Sequence, residues 1–204
     1  CKQNNCSLIG GETAEMPGLY EKNKYDMAGF AVGVVEREDI LPKRVSEGDI
    51  VLGIPSSGFH SNGYSLIRKV IKNLNLSYDS ISPFDSSKSL GEVLLEPTKI
   101  YVKTCLPLIK NGYVKAMAHI TGGGIIENIP RVLPKDLGIE VDAKAFGYPK
   151  IMRWLAKEGR ISNFEMAKTF NCGIGMVCII DQNNLENSIS MINSLEEEAL
   201  ILGQ

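Results

Sequence analysis

The feature that most constrains the fold is the run His119-Ile120-Thr121-Gly122-Gly123-Gly124-Ile125-Ile126-Glu127-Asn128-Ile129-Pro130-Arg131. Before it, Val114 to Ala118 reads as a short, half-buried strand; after it, Ile125, Ile126 and Ile129 recur at helical spacing. The order is therefore strand, glycine loop, helix. Consecutive glycines give up side chains that would pack, which lets the backbone turn sharply and bring a ligand close to main-chain N–H groups. The free N–H donors of a following helix, at the positive end of its dipole, suit a phosphate. A tight strand-to-helix turn with no ligand would use the same glycines, and it is the flanking His119 that favours a site.

The same arrangement occurs earlier in the chain. Asp49 to Pro55 is a compact apolar run leading straight into Ser56-Ser57-Gly58-Phe59-His60-Ser61-Asn62-Gly63, after which Leu66, Ile67, Val70, Ile71 and Leu74 keep a 3.6-residue period. Ser61 or Asn62 is expected to cap that helix. His60 lies among small polar residues in a loop, where an imidazole can titrate near neutrality and reach a ligand.

The remaining elements follow from periodicity and breakers. Tyr25 to Glu36 reads as a strand with interior glycines, and Arg37 to Gly48, polar with Pro42 inside it, reads as a linker. Residues 1–36 thus form one segment and 49–204 an α/β domain. Leu74 to Ser89 is an exposed excursion; helices are expected at Leu90 to Leu95 and Lys99 to Lys110, with Pro107 kinking or ending the second. A strand at Leu137 to Val141, helices at Lys150 to Glu158 and Ser162 to Thr169, a strand at Cys172 to Ile180, a helix at Leu185 to Leu195 and a last strand at Ala199 to Leu202 complete the chain. Gly173-Ile174-Gly175 opens a strand instead of following one and lacks a third glycine, so it is not read as a dinucleotide fingerprint. Trp154 is read as helix core and rim. The expected fold is α/β of the α+β type, a mixed sheet with helices packed on it.

Composition narrows the partner. A net charge of −2 gives no electrostatic case for nucleic acid or an anionic membrane, which points to a small molecule. No apolar run approaches the roughly 20 residues that span a bilayer, and the first residues lack signal-peptide features, so a cytoplasmic location is expected. The cysteines, 5 in all, fit reduced thiols better than a disulfide framework, with Cys172 and Cys178 as small buried hydrophobes.

Four ordered segments carry a resemblance: Gly10-Gly11-Glu12-Thr13-Ala14-Glu15-Met16-Pro17, Pro55 to Gly63, His119 to Gly124, and Thr169-Phe170-Asn171-Cys172-Gly173-Ile174-Gly175-Met176. Together they resemble the phosphoribosylformylglycinamidine cyclo-ligase (aminoimidazole ribonucleotide synthetase) family over essentially the whole chain. The resemblance implies ATP-driven ring closure of formylglycinamidine ribonucleotide to aminoimidazole ribonucleotide in purine synthesis, with ADP and phosphate released. It implies ATP and Mg2+ as cofactors, with the metal ligands left open, and a homodimer of the full-length enzyme. It also implies an N-terminal ATP-binding and dimerising domain of which residues 1–36 are the tail, so that this chain alone is expected to be inactive and to expose apolar surface around Leu8, Ile9, Phe30 and Val32.

The chemistry suits the residue types. The protein must position phosphate-bearing molecules and stabilise charge on the transferring group. Substrate or phosphate binding is expected at Ser57, Gly58, Ser61, Asn62, Thr121, Gly122, Gly123 and Gly124, and ATP contacts at Gly11, Glu12 and Thr13. His60, His119 and Glu12 are the catalytic candidates. A backbone hydrogen bond would equally account for Glu12, and a satisfied core position for either histidine. Two other readings stay open: another ATP-dependent member of the superfamily, such as a selenophosphate synthetase, a hydrogenase maturation factor or a thiamine-phosphate kinase, and a non-catalytic binding module. The Thr13-Ala14-Glu15-Met16-Pro17 and Ser57 to Gly63 segments resemble the cyclo-ligase forms.

Overall fold

A computed structural model describes all residues, 1–204, in two compact units, Cys1–Ile40 and Leu41–Gln204. The first holds only short 3-10 turns at Lys2–Asn4 and Arg37–Asp39. Its residues are exposed throughout, Asn4 excepted. The strand expected at Tyr25 to Glu36 does not form: the segment has no partner backbone to pair with, and Phe30 stands 95% exposed. Leu8, Ile9 and Val32 are exposed as expected.

The second unit is built on a four-stranded sheet: β1 (Ile50–Pro55), β2 (Val114–His119), β3 (Ile174–Ile180) and β4 (Leu200–Gly203), in the order β2-β3-β1-β4. The expected α/β class is present, but every pairing in the sheet is antiparallel, where a mixed sheet was expected. The strand expected at Leu137 to Val141 survives as a bridge between Val141 and Gly203, with Glu140 and Gln204 exchanging backbone hydrogen bonds of 2.8 and 3.1 Å.

Helices cover both faces of the sheet, which is why the strands read as near-continuous apolar runs. One face carries Val51, Ala116, Ala118, Ile174, Val177 and Ile179 against α1 (Tyr64–Asn73), α4 (Gly124–Asn128), α5 (Lys150–Glu158) and α6 (Asn163–Thr169). The other carries Leu52, Ile54, Val114, Cys178 and Ile180 against α3 (Val102–Lys110) and α7 (Leu185–Ser194). A short α2 (Leu90–Leu94) starts with a capping box of Ser89 and Glu92. Pro107 neither ends nor interrupts the assigned span of α3. Phe84, from the excursion after α1, packs edge-on against Trp154 with ring centroids 5.5 Å apart, so the lone Trp is spent on packing.

Antiparallel pairing fixes where the loops go. β1 and β2 both run opposite to β3, so the chain leaving Pro55, the chain leaving His119 and the chain entering Ile174 lie at one end of the sheet. At the other end, the Lys115 ammonium bridges Asp49 at 2.6 Å and Asp181 at 3.0 Å, tying the same three strands together.

Candidate functional site

Residues 56–63 leave β1 in a loop held from beneath by one buried carboxamide. Asn171 donates from Nδ2 to the Gly58 carbonyl at 2.8 Å, while its Oδ1 accepts from the Gly173 N–H at 2.9 Å and the Ser56 hydroxyl at 3.2 Å. The loop closes at Gly63, which takes a φ of 77° and would place a Cβ 2.1 Å from the Phe170 ring. Gly63 is the N-cap of α1 and no side chain caps it, so the capping expected of Ser61 or Asn62 does not occur. Ser61 meets the Thr98 hydroxyl at 3.2 Å, and Ser57 donates to the Pro97 carbonyl at 2.6 Å. Both contacts dock the loop onto the segment that precedes α3.

His60 sits at the centre of that docking, in the left-handed backbone region with a φ of 57° and only 3% exposed. Its Nε2 accepts from the Ser57 N–H at 3.3 Å and the Lys99 N–H at 3.5 Å. The proton of the neutral ring therefore belongs on Nδ1, which is buried without a partner. Burial, then the nearby His119 and Lys99, lower its pKa from 6.5 to about 4, so the ring is neutral near pH 7. His119, at the end of β2, is an exposed residue, and partial desolvation lowers its pKa also.

Tyr101 completes a triangle of rings. Centroids lie 6.1 Å apart for His60 and His119, 6.1 Å for His60 and Tyr101, and 5.9 Å for Tyr101 and His119. The Tyr101 hydroxyl donates to the Pro55 carbonyl at 3.0 Å, and burial raises its pKa well above the usual phenol value. Gly175 makes the triangle possible: a Cβ there would lie 1.9 Å from the Tyr101 hydroxyl and 2.6 Å from Cε1 of His60. The second glycine of Gly173-Ile174-Gly175 thus serves close approach of side chains, not a dinucleotide.

The glycine loop after β2 is stapled by another buried carboxamide. Asn128 donates from Nδ2 to the carbonyls of Thr121, Gly122 and Gly124, at 3.3, 3.2 and 2.7 Å, and its Oδ1 accepts from the Thr121 hydroxyl and Arg131, each at 3.2 Å. Gly123 and Gly124 take φ of 95° and 59°, and a Cβ on Gly124 would lie 2.0 Å from the Ala167 carbonyl oxygen. Gly122 differs: a Cβ there meets only Oδ1 of Asn62, at 3.5 Å. That contact also shows the two loops side by side. The helix that follows, α4, is a single short turn of 5 residues continued by a 3-10 turn at Ile129–Val132, so its dipole is weaker than the sequence pattern implies.

The structure therefore brings Ser57, Gly58, His60, Ser61 and Asn62 together with His119, Thr121, Gly122, Gly123 and Gly124. Gly11, Glu12 and Thr13 lie in the other unit, exposed on irregular chain. No group of three or more His, Cys, Asp and Glu side chains converges as a metal site. Sequence reasoning missed Tyr101, Asn128 and Asn171. Asn171 lies within one of the quoted segments, but a lone Asn carries no signal of the loops it will join, and Tyr101 reads as ordinary helix.

Two strand–loop–helix units of this α/β domain thus meet around paired imidazoles. The chain belongs to the family described as AIR synthase related protein, C-terminal domain, which matches residues 46–204. It is 50% identical over its whole length to part of the trifunctional purine biosynthetic protein adenosine-3 of Bos taurus, and 50% identical over its whole length to part of the bifunctional purine biosynthetic protein purD of Dictyostelium discoideum. It spans 20% of the bovine protein and 25% of the Dictyostelium one. Among solved structures it is similar to thiamine-monophosphate kinase from Stenotrophomonas maltophilia, with a TM-score of 0.55 at 15% identity, covering 80% of this chain and 49% of that one. At that identity the likeness is one of fold. No helix is long and apolar enough to cross a membrane.

Proposed function

We propose that the chain carries the substrate loops of an ATP-dependent cyclo-ligase that converts formylglycinamidine ribonucleotide to aminoimidazole ribonucleotide. The observation that carries this reading is the meeting of residues 57–62 with residues 119–124, both imidazoles included, in a chain of this family. The names of the relatives, purine biosynthetic proteins, support the same pathway.

In this reaction ATP's terminal phosphoryl group passes to the formyl amide oxygen and ADP leaves. The amidine nitrogen then attacks the formyl carbon; the C–N bond forms, the C–O bond breaks, phosphate departs and the nitrogen loses a proton. The N–H groups of Gly122 and Gly123, which take no acceptor within the turn, are suited to a substrate phosphate. Ser57, Gly58, Ser61, Asn62 and Thr121 line the adjoining loops. A neutral imidazole at this edge can accept the proton lost on ring closure. Gly11, Glu12 and Thr13 are proposed to meet ATP in the natural full-length protein, with residues 1–36 as part of its ATP-binding and dimerising domain. The natural protein is proposed to be a cytoplasmic homodimer, and the 204-residue chain alone to be inactive.

The test is ADP release by the natural full-length protein given ATP and formylglycinamidine ribonucleotide, with and without Gly122→Val. Gly122 is the loop glycine where a side chain meets no backbone and no positive φ is required. Substrate KM should rise at least about tenfold with an unchanged melting temperature, the mark of lost ground-state binding. An unchanged KM would remove the phosphate from this loop, and absence of turnover in the unmodified protein would remove the activity.

A further inference from the structure

The two imidazoles are not equivalent. We infer that His60 is a positioning residue, which holds the Ser57 to Asn62 loop on the Pro97 to Tyr101 segment through its Nε2 lone pair, and that His119 alone is the proton acceptor of the pair. The inference rests on the reading of this edge as the site of ring closure.

Neither nitrogen of His60 can act as a base where it sits. The Nε2 lone pair already receives two backbone N–H groups, from residues on either side of the loop junction. Nδ1 holds the proton of the neutral ring. Protonating Nε2 would turn an acceptor into a donor facing two donors, breaking both contacts. Nor can the neutral ring give up its Nδ1 proton, since an imidazolate is far out of reach near pH 7. The groups facing His60 reinforce this: the Lys99 ammonium, held in an ion pair by Glu197, and the His119 ring both disfavour a positive charge on it, while Tyr101 stays a neutral phenol bonded to Pro55.

What His60 can do is mechanical. The Ser57 N–H belongs to the loop that lines the site, and the Lys99 N–H to the segment leading into α3. One ring atom therefore sets the distance between them, and the Ser57–Pro97 and Ser61–Thr98 hydrogen bonds run along the same seam. His119 has a different situation: it ends β2 beside the glycine loop as an exposed residue, and its ring nitrogens make no hydrogen bond within the protein. A neutral imidazole with a free lone pair next to a phosphate-binding turn is the group placed to take a proton.

The test uses glutamine, whose side-chain carbonyl can stand in for Nε2 as an acceptor but cannot take a proton. In the natural full-length protein, His60→Gln should keep kcat within about threefold of the parent and retain the acid limb of the pH–rate profile. His119→Gln should lower kcat about 100-fold or more and remove that limb. His60→Ala, which leaves both N–H groups without their acceptor, should raise KM more than it lowers kcat. If His60→Gln melts like the parent yet loses both kcat and the acid limb, His60 does proton chemistry and the inference falls, while the site reading stands. If His119→Gln turns over normally, the assignment of the base falls. Should His60→Gln fail to fold, NMR of isotope-labelled imidazole nitrogens in the unsubstituted protein decides without reference to turnover: an Nδ1–H tautomer with an accepting Nε2 supports the inference, and an Nε2–H tautomer overturns it.

Discussion

At the scale of single residues, the site consists of small constraints that each admit one residue type. Gly175 is the sharpest, since any Cβ would overlap the Tyr101 hydroxyl and the His60 ring. Gly175→Ala should cost about 1–3 kcal/mol, in the range for overpacking, and should displace the ring triangle; denaturant unfolding measures the first and histidine chemical shifts the second. The imidazoles also make stability pH-dependent with a definite sign. His60 has a folded pKa of about 4 against 6.5 unfolded, so between those values the unfolded chain binds a proton that the folded chain rejects. Stability is therefore full above pH 6.5 and falls as pH drops toward 4, with His119 adding in the same direction. Unfolding free energies at about pH 7 and about pH 5 should differ less in His60→Gln than in the parent. An equal or larger difference in the variant would show that the ring is not the source.

At the scale of elements, the glycine loop separates positions by what surrounds them. Gly124→Ala puts a side chain against the Ala167 backbone at a positive φ and should destabilise by about 3 kcal/mol or more, whereas Gly122→Ala should change stability by less than about 0.5 kcal/mol. Equal costs at the two positions, read from chemical denaturation, would mean that the loop is not held as described. The loops, most helices and the four strands of the sheet were legible because each is bounded by a local signal, whereas the strands expected at Tyr25 to Glu36 and Leu137 to Val141 were not found as such. Lys150–Glu158 and the end of β1 at Pro55 appear with the expected bounds. The misses are long-range. The helix expected from Lys99 begins only at Val102, because the Lys99 N–H goes to His60, 39 residues back. Ser61 and Asn62 carry the chemistry of caps, yet the Phe170 ring leaves room only for Gly63 at the cap position, and the two polar residues turn to Thr98 and toward Gly122. Strand direction was invisible for the same reason: an apolar run shows that both faces are covered, not which way its neighbour runs.

At the scale of the whole molecule, the unit Leu41–Gln204 has helices on both faces of its sheet and buries its own core, while Cys1–Ile40 buries almost nothing. The first unit is nevertheless far from polar. Tyr25, Met27, Phe30, Val32, Val34 and Val35 are all exposed within a stretch of alternating, strand-like character, and Gly29 and Gly33 have nothing within 4 Å that a Cβ would meet. Unpaired extended backbone with apolar side chains is a template for pairing with another chain. The two units should therefore behave differently when separated. Removing residues 1–40 should leave the melting temperature within about 2 °C, since less than roughly 0.5 kcal/mol is at stake where no core is buried. The same removal should abolish self-association: light scattering of the 204-residue chain should show concentration-dependent mass above the monomer, and the 41–204 chain should not. Amide hydrogen exchange supplies the independent reading, with residues 25–36 exchanging fast at low concentration and slowing as the chain associates. A monomeric 204-residue chain with slow exchange across residues 25–36 would mean that the segment finds its partner within the chain, and a large drop in melting temperature on truncation would mean that the first unit supports the second.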